Sequence, residues 1–215
     1  MIPNSMEENM AILIADLSGY TALTETHGAS AAADIIDRYI EMVNDCLVGD
    51  SHFHERTGDE AMMVSSSADH LLATLSNLVQ ITSMENNFLQ VHGGLHYGKI
   101  LNRNNSYFGT ALNLTARIAK KASPGSFWCS AEYVNSISHE TPFTFLSKGK
   151  QAFKNISEDH EVYELIAGQR SLTYIDPVCK MQINHKEKAT AHPGRPDIFF
   201  CHQGCLDIYR RNNLN

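Results

Sequence analysis

Six consecutive apolar residues, Met10–Ala15 (MAILIA), stop abruptly at Asp16. A run this short and this uniformly apolar reads as a strand covered on both faces, and such a strand needs helices packed on its sheet. The following segments supply them. SGYTALTETHG (18–28) reads as a loop with room for a helical turn. From Ala31 to Val48, the residues Ala32, Ile35, Ile36, Tyr39, Ile40, Val43, Cys46 and Leu47 recur at helical spacing. Residues 51–57 and 60–65 read as two strands joined at Gly58-Asp59, a tight-turn pair. A second amphipathic helix runs from Asp69 to about Met84, and Phe88 to His96 alternates as a further strand.

Strand, helix, strand, strand, helix, strand is the ferredoxin-like βαββαβ order of an α+β fold. In that arrangement the first and third strands are antiparallel neighbours in the middle of the sheet. The end of the first strand then meets the turn entering the third, so Asp16 and Asp59 converge at one sheet edge. After this core come a helix from Gly109 to about Lys121, a strand at 127–129, a short helix near Ala131 and strands near 143–146 and 160–166. The polar segment Gly168–Ser171 marks a boundary, giving a domain over 1–167, a linker over 168–173 and a small module over 174–215.

With 43% hydrophobic and 19% charged residues the chain is globular in composition. A formal net charge of −7 gives no general attraction for nucleic acid. The start, MIPNSMEENM, lacks the basic residues and apolar run of a signal peptide, and MAILIA is too short to span a membrane. The expectation is a soluble, cytoplasmic protein with neither nucleic acid nor membrane as partner.

Paired carboxylates on strand ends are suited to holding two divalent metals against phosphates. Asp59 by itself is also ordinary turn chemistry. Ser18-Gly19-Tyr20-Thr21, just beyond Asp16, can turn backbone N–H groups toward phosphate oxygens. In this order, ILIADLSGYTAL resembles the opening metal-binding strand and loop of class III adenylate and guanylate cyclases. HERTGDEAMMV is similar to their second metal-binding hairpin, VHGGLHYGKI to the next core strand, and YFGTALNLTARIAKKASPG to a helix with the family's glycine, asparagine and arginine. The resemblance covers roughly residues 10–166.

It implies a nucleotide cyclase for intracellular signalling, converting a nucleoside triphosphate to a 3′,5′-cyclic monophosphate and pyrophosphate. Asp16, Leu17 and Asp59 would bind two Mg²⁺ or Mn²⁺ ions, and Ser18, Gly19, Tyr20 and Thr21 would meet the substrate. Asn113 matches the residue that orients the ribose, and Arg117 the one that stabilises charge developing on the α-phosphate. Their four-residue spacing puts both on one helix face. Lys154 matches a triphosphate-binding lysine, with Asn155 where the family has glycine. The family's aspartates come from one subunit and its asparagine and arginine from the other, which implies a homodimer with interfacial sites.

Two positions discriminate the base in this family. Glu55 stands where adenylate cyclases carry lysine and guanylate cyclases glutamate, and a carboxylate can accept guanine's N1–H and amine. Ser106 stands where adenylate cyclases carry aspartate. The pair favours GTP over ATP, while a one-residue slip would present Arg56 instead of Glu55. A pyrimidine substrate or low selectivity stays open. So do a catalytically silent homologue acting as a nucleotide- or metal-sensing module, and a nucleotide-polymerising palm-type core; the latter fits poorly with the acidic charge.

Of five cysteines, Cys179, Cys201 and Cys205 fall in the last 37 residues. That pattern fits a metal site in a reducing compartment better than a disulfide framework. DPVCKM, FFC and Cys205 resemble the YHS domain, which implies a treble-clef-like metal-binding module. Three thiolates suit Zn²⁺ or Cu⁺ and need a fourth ligand for a closed tetrahedral site. His202 is the nearest candidate, with His185 and His192 behind it. The alternative is three small buried apolar residues.

Overall fold

MAILIA lies inside strand β1 (Met6–Ser18), which leads into α1 (Tyr20–Asp45), the hairpin β2 (His52–Thr57) and β3 (Glu60–Ser65), α2 (Ala68–Met84) and β4 (Phe88–Arg103). Then follow β5 (Ser106–Phe108), α3 (Thr110–Ala119), β6 (Phe127–Ser130), α4 (Ala131–Val134), β7 (Thr144–Gln151) and β8 (His160–Ile166). The chain closes with β9 (Tyr174–Ile175), β10 (Met181–Ile183), β11 (Thr190–His192), β12 (Arg195–Phe200) and α5 (Gln203–Asn212). This is a computed structural model, and it describes residues 6–138, 141, 143–166 and 173–213. No helix among them is long and apolar enough to cross a membrane.

The main sheet runs β2-β3-β1-β4-β6-β8-β7. β1 is antiparallel to both its neighbours, with Ala15 opposite Ala61 of β3 and Gly93 of β4. Its two faces are buried in different clusters. Ala11, Leu13, Ala15 and Leu17 pack with Leu23, Ile35 and Tyr39 of α1 and Leu71, Leu75 and Leu78 of α2. Met10, Ile12 and Ile14 pack with Met62, Val64 and the α3 residues Ala111 and Ala119. Period-two alternation sends successive side chains to opposite faces, so a strand buried on both must be apolar throughout.

Two differences from the sequence reading matter for the site. First, α1 begins at Tyr20, eleven residues before the expected helix, and SGYTALTETHG is mostly helical. Gly19 caps it with φ +92, and Gly28 (φ +84, ψ 170) kinks it. Leu23 is the one fully buried residue of Tyr20–His27, which is too little apolar period to read in sequence. Second, β9 and β10 extend the main sheet, while β11 and β12 form a separate two-stranded sheet. Met181 of β10 pairs with Leu89 of β4, and the Gln182 amide donates to the carbonyls of Thr82 and Glu85. Cys179, Met181, Phe200, Cys205 and Leu206 share one apolar cluster with Leu13, Leu23 and Leu89. The expected linker, apart from Thr173, lies outside the described residues.

Candidate active site

Asp16 continues the β1 face that bears Ile12 and Ile14, and so lies on the side of the sheet covered by α3. Asp59 sits in the β2–β3 turn, close enough to Asp16 for each carboxyl group to shift the titration of the other. Burial raises the pKa of Asp16. Burial and the Asp16 charge raise that of Asp59. Burial, with Asp16 nearby, does the same to Glu60. Carboxylates crowded in this way hold a proton between them unless a cation takes its place. That donor set fits a hard divalent ion. Leu17 is buried, and its backbone amide donates to Asp16 Oδ1 at 3.0 Å, leaving its carbonyl as the group it can offer.

His92 belongs to the same corner, and the sequence reading did not single it out. It faces Asp16 across the β1–β4 ladder, with Nδ1 2.8 Å from Ser18 Oγ and Nε2 3.9 Å from Asp16 Oδ2. Burial lowers its pKa, which favours the neutral ring. The signal lay in VHGGLHYGKI, but only the strand register shows which residue of it meets Asp16. Beyond Ser18, the left-handed turn at Gly19 starts α1 with no side-chain cap, so the first amides of Tyr20 and Thr21 have no intrahelical acceptor.

A second cluster lies under α3. A cleft of about 180 Å³ is lined by Ile14, Glu55, Thr57, Met62, Leu112 and Asn113, among others. Its floor is a cross-strand row, Ile14 opposite Met62 and Met62 opposite Glu55. His54 is the extra residue of a bulge between Phe53 and Glu55. Arg56 pairs with Ala61 and turns back to donate to the Gly58 carbonyl. It is therefore Glu55, not Arg56, that enters the cleft. Ser106 is exposed on β5 opposite Arg103 and does not line it.

α3 sits directly on β4 because Gly94 carries no side chain. A Cβ there would stand 2.4 Å from the backbone nitrogen of Ala119. The helix is thereby held with Asn113 in the cleft and Arg117 in its last turn. Arg117 makes no ion pair or hydrogen bond among the described residues. Lys154 and Asn155 form an exposed turn whose preceding Phe153 is buried against Leu114 and Ile118 of α3. Asn155 has φ +63, the left-handed conformation that asparagine tolerates better than most residues, so it adopts the backbone form that glycine favours.

The three C-terminal cysteines also converge. Cys179 Sγ lies 3.6 Å from Cys201 Sγ, and Cys201 Sγ lies 3.5 Å from Cys205 Sγ. The imidazole next to them comes from the other end of the chain. His27 Nε2, at the end of the first α1 segment, is 3.8 Å from Cys201 Sγ and 3.7 Å from Cys205 Sγ. His202 is close, but its Nδ1 accepts the Cys205 amide as the cap of α5. His185 pairs with Glu187, and His192 Nδ1 accepts the amide of Gly194.

No protein-family model matches the chain. An uncharacterized protein of Mycobacterium tuberculosis is 35% identical over 119 residues, which is 55% of this chain and 32% of the relative. An adenylate cyclase of Glutamicibacter nicotianae is 25% identical over 167 residues, 77% of this chain and 41% of that protein. The chain spans about a third of the length of the first of these curated relatives. Among solved structures, the adenylyl cyclase CyaB of P. aeruginosa superposes with a TM-score of 0.65 at 17% identity, covering 79% of this chain and 99% of that one. The guanylyl cyclase Cya2 does so with a TM-score of 0.63 at 16% identity, covering 76% and 94%. The chain carries the fold of the class III adenylate/guanylate cyclase catalytic domain.

Proposed function

We propose that the chain is a nucleotide cyclase that converts a nucleoside triphosphate, GTP in preference to ATP, to the 3′,5′-cyclic nucleotide and pyrophosphate. The observation that carries this reading is the convergence of Asp16, at the end of β1, and Asp59, in the turn into the paired strand β3, beside the uncapped start of α1. Mg²⁺ or Mn²⁺ held by Asp16, Asp59 and the Leu17 carbonyl would activate the ribose 3′-oxygen and neutralise the triphosphate. The remaining roles fall to the chain's own groups. The amides after Gly19 receive phosphate oxygens. Asn113 orients the ribose, Arg117 takes charge developing on the α-phosphate, and Lys154 steadies the leaving pyrophosphate. Glu55, in the cleft with Asn113, accepts the N1–H and amine of guanine, whereas adenine's N1 would face it as a second acceptor.

A homodimer, which the family resemblance implies, is compatible with how these groups are divided. Glu55 and Asn113 line one cleft, and neither Asp16, Asp59 nor Arg117 is among its lining residues. On this reading the metal carboxylates and the cleft, with Glu60 between them, are two partial sites that a second copy would complete in a two-fold arrangement. Phe108, 51% exposed just before α3, supports a covered surface there.

The test is incubation of the protein with Mn²⁺ and GTP, ATP, CTP or UTP, with products identified by mass spectrometry. Cyclic GMP as the main product is expected. Dominant cyclic AMP would overturn the base assignment, and no cyclic product at concentrations where the protein is dimeric would overturn the enzyme reading in favour of a silent module.

A further inference from the structure

The cysteine cluster is larger than the module that carries it. Two overlapping groups of ligand atoms lie within 4.8 Å of one another, His27 with Cys201, His202 and Cys205, and Asp176 with Cys179, Cys201 and Cys205. Two of these six residues are already engaged. Asp176 is fully buried and accepts the amides of Val178 and Cys179 on Oδ1 and of Cys201 on Oδ2. His202 caps α5. That leaves Cys179, Cys201, Cys205 and His27.

Most of their spacings are those of a tetrahedral site. Zinc–sulfur bonds of about 2.3 Å and a zinc–nitrogen bond of about 2.0 Å at tetrahedral angles set edges of roughly 3.8 Å between sulfurs and roughly 3.5 Å between sulfur and nitrogen. Four of the six edges, at 3.5, 3.6, 3.7 and 3.8 Å, are already near those lengths. The Cys179–Cys205 edge lies within 4.8 Å, whereas His27 and Cys179 share no group within that distance, so a closed site requires the imidazole to turn toward Cys179. Asp176 holds the Cys179 turn and the Cys201 loop together, as outer-shell groups do.

We infer that Cys179, Cys201, Cys205 and His27 form a closed Zn²⁺ site that ties the C-terminal segment to the first turns of α1. The location gives the tie a consequence. His27 ends the segment Tyr20–His27 just before the Gly28 kink, and Gly19 begins it. Lys180, adjacent to Cys179, packs on Gly19 itself, where an added Cβ would stand 2.5 Å from Lys180 Cβ. Metal at the cluster therefore holds both ends of the short helix whose first amides face the phosphate site. The metal site stands on geometry alone; the effect on triphosphate binding rests on the cyclase reading.

The experiment uses the full chain in reducing buffer, with zinc as the probe. Metal analysis and native mass spectrometry should find one zinc per chain, absent in Cys205→Ser. Cobalt substitution should give a tetrahedral d–d spectrum with thiolate charge-transfer bands. His27→Ala should weaken zinc binding by more than about 100-fold, beyond the usual loss for an outer-shell contact, while His202→Ala changes it only a few-fold. Far-UV circular dichroism of His27→Ala should match the parent. Amide exchange over residues 20–27 should slow when zinc binds, and the KM for the triphosphate should rise in His27→Ala. Failure to bind zinc, preference for Cu⁺, or a Cys201–Cys205 disulfide under these conditions would overturn the site. Unchanged zinc affinity in His27→Ala would overturn the tie, whether or not the chain makes a cyclic nucleotide.

Discussion

The side chain of Lys180 lies across the backbone of Gly19, leaving no space for a Cβ at that position. Gly19 also has φ +92, a conformation costly for any residue with a side chain. Gly19→Ala should therefore meet strain and overlap together. The expected cost is about 1–3 kcal/mol in a urea titration, with loss of turnover because the start of α1 is displaced. Gly28→Ala should also be destabilising although no atom crowds a Cβ there, since φ +84 with ψ 170 is a backbone region that essentially only glycine enters.

Glu55 reaches the cleft through the row Ile14–Met62–Glu55. Glu55→Ala removes the one acidic acceptor proposed for the base. Losing a hydrogen bond to a charged group costs about 1.5–3 kcal/mol. kcat/KM for GTP should fall by roughly 10- to 150-fold, with little change for ATP, measured in parallel assays.

Mixing two inactive variants tests the interfacial site. Asp16→Ala should lack the metal carboxylate and Arg117→Ala the phosphate guanidinium. If they lie on opposite sides of a two-fold interface, half of the dimers in an equimolar mixture are mixed and carry one intact site. About a quarter of wild-type activity should return after exchange of subunits. No recovery would place both residues in the same chain's site.

Asn155 adopts φ +63 beside Lys154. Asn155→Gly should keep activity and change stability by only tenths of a kcal/mol, because glycine enters this region freely. Asn155→Val should cost about 1–2 kcal/mol or more and raise KM, since a β-branched residue resists the turn.

Acid sensitivity should trace partly to His96, which is buried with Nδ1 2.8 Å from Ser130 Oγ. Burial, with a smaller contribution from His160, pushes its pKa down to about 4 from 6.5, against the opposing pull of Glu132. Between those values the unfolded chain holds a proton that the native chain does not, so stability rises with pH across the window. It should be lost as pH falls from about 6.5 to about 4, on the order of 3 kcal/mol in all. His96→Gln should flatten that slope in urea midpoints measured at successive pH values.

Much of this protein is legible in the residues themselves. MAILIA determined a strand buried on both faces, because period-two geometry leaves no polar position in such a strand. The order of periodic segments then brought Asp16 and Asp59 together, and the four-residue step placed Asn113 and Arg117 on one helix. Other features depend on the fold. The helical turns of Tyr20–His27 bury little besides Leu23, so they leave almost no apolar period. The bulge at His54 decides whether Glu55 or Arg56 enters the cleft, and a register shift of one residue has no compositional mark. His92 meets Asp16 only through the β1–β4 ladder. His27 lies more than 150 residues from Cys179, and no spacing rule spans that distance. Local sequence sets dihedral preference and burial period, whereas meetings across the chain are set by which surfaces pack, and packing is decided only when the whole core forms.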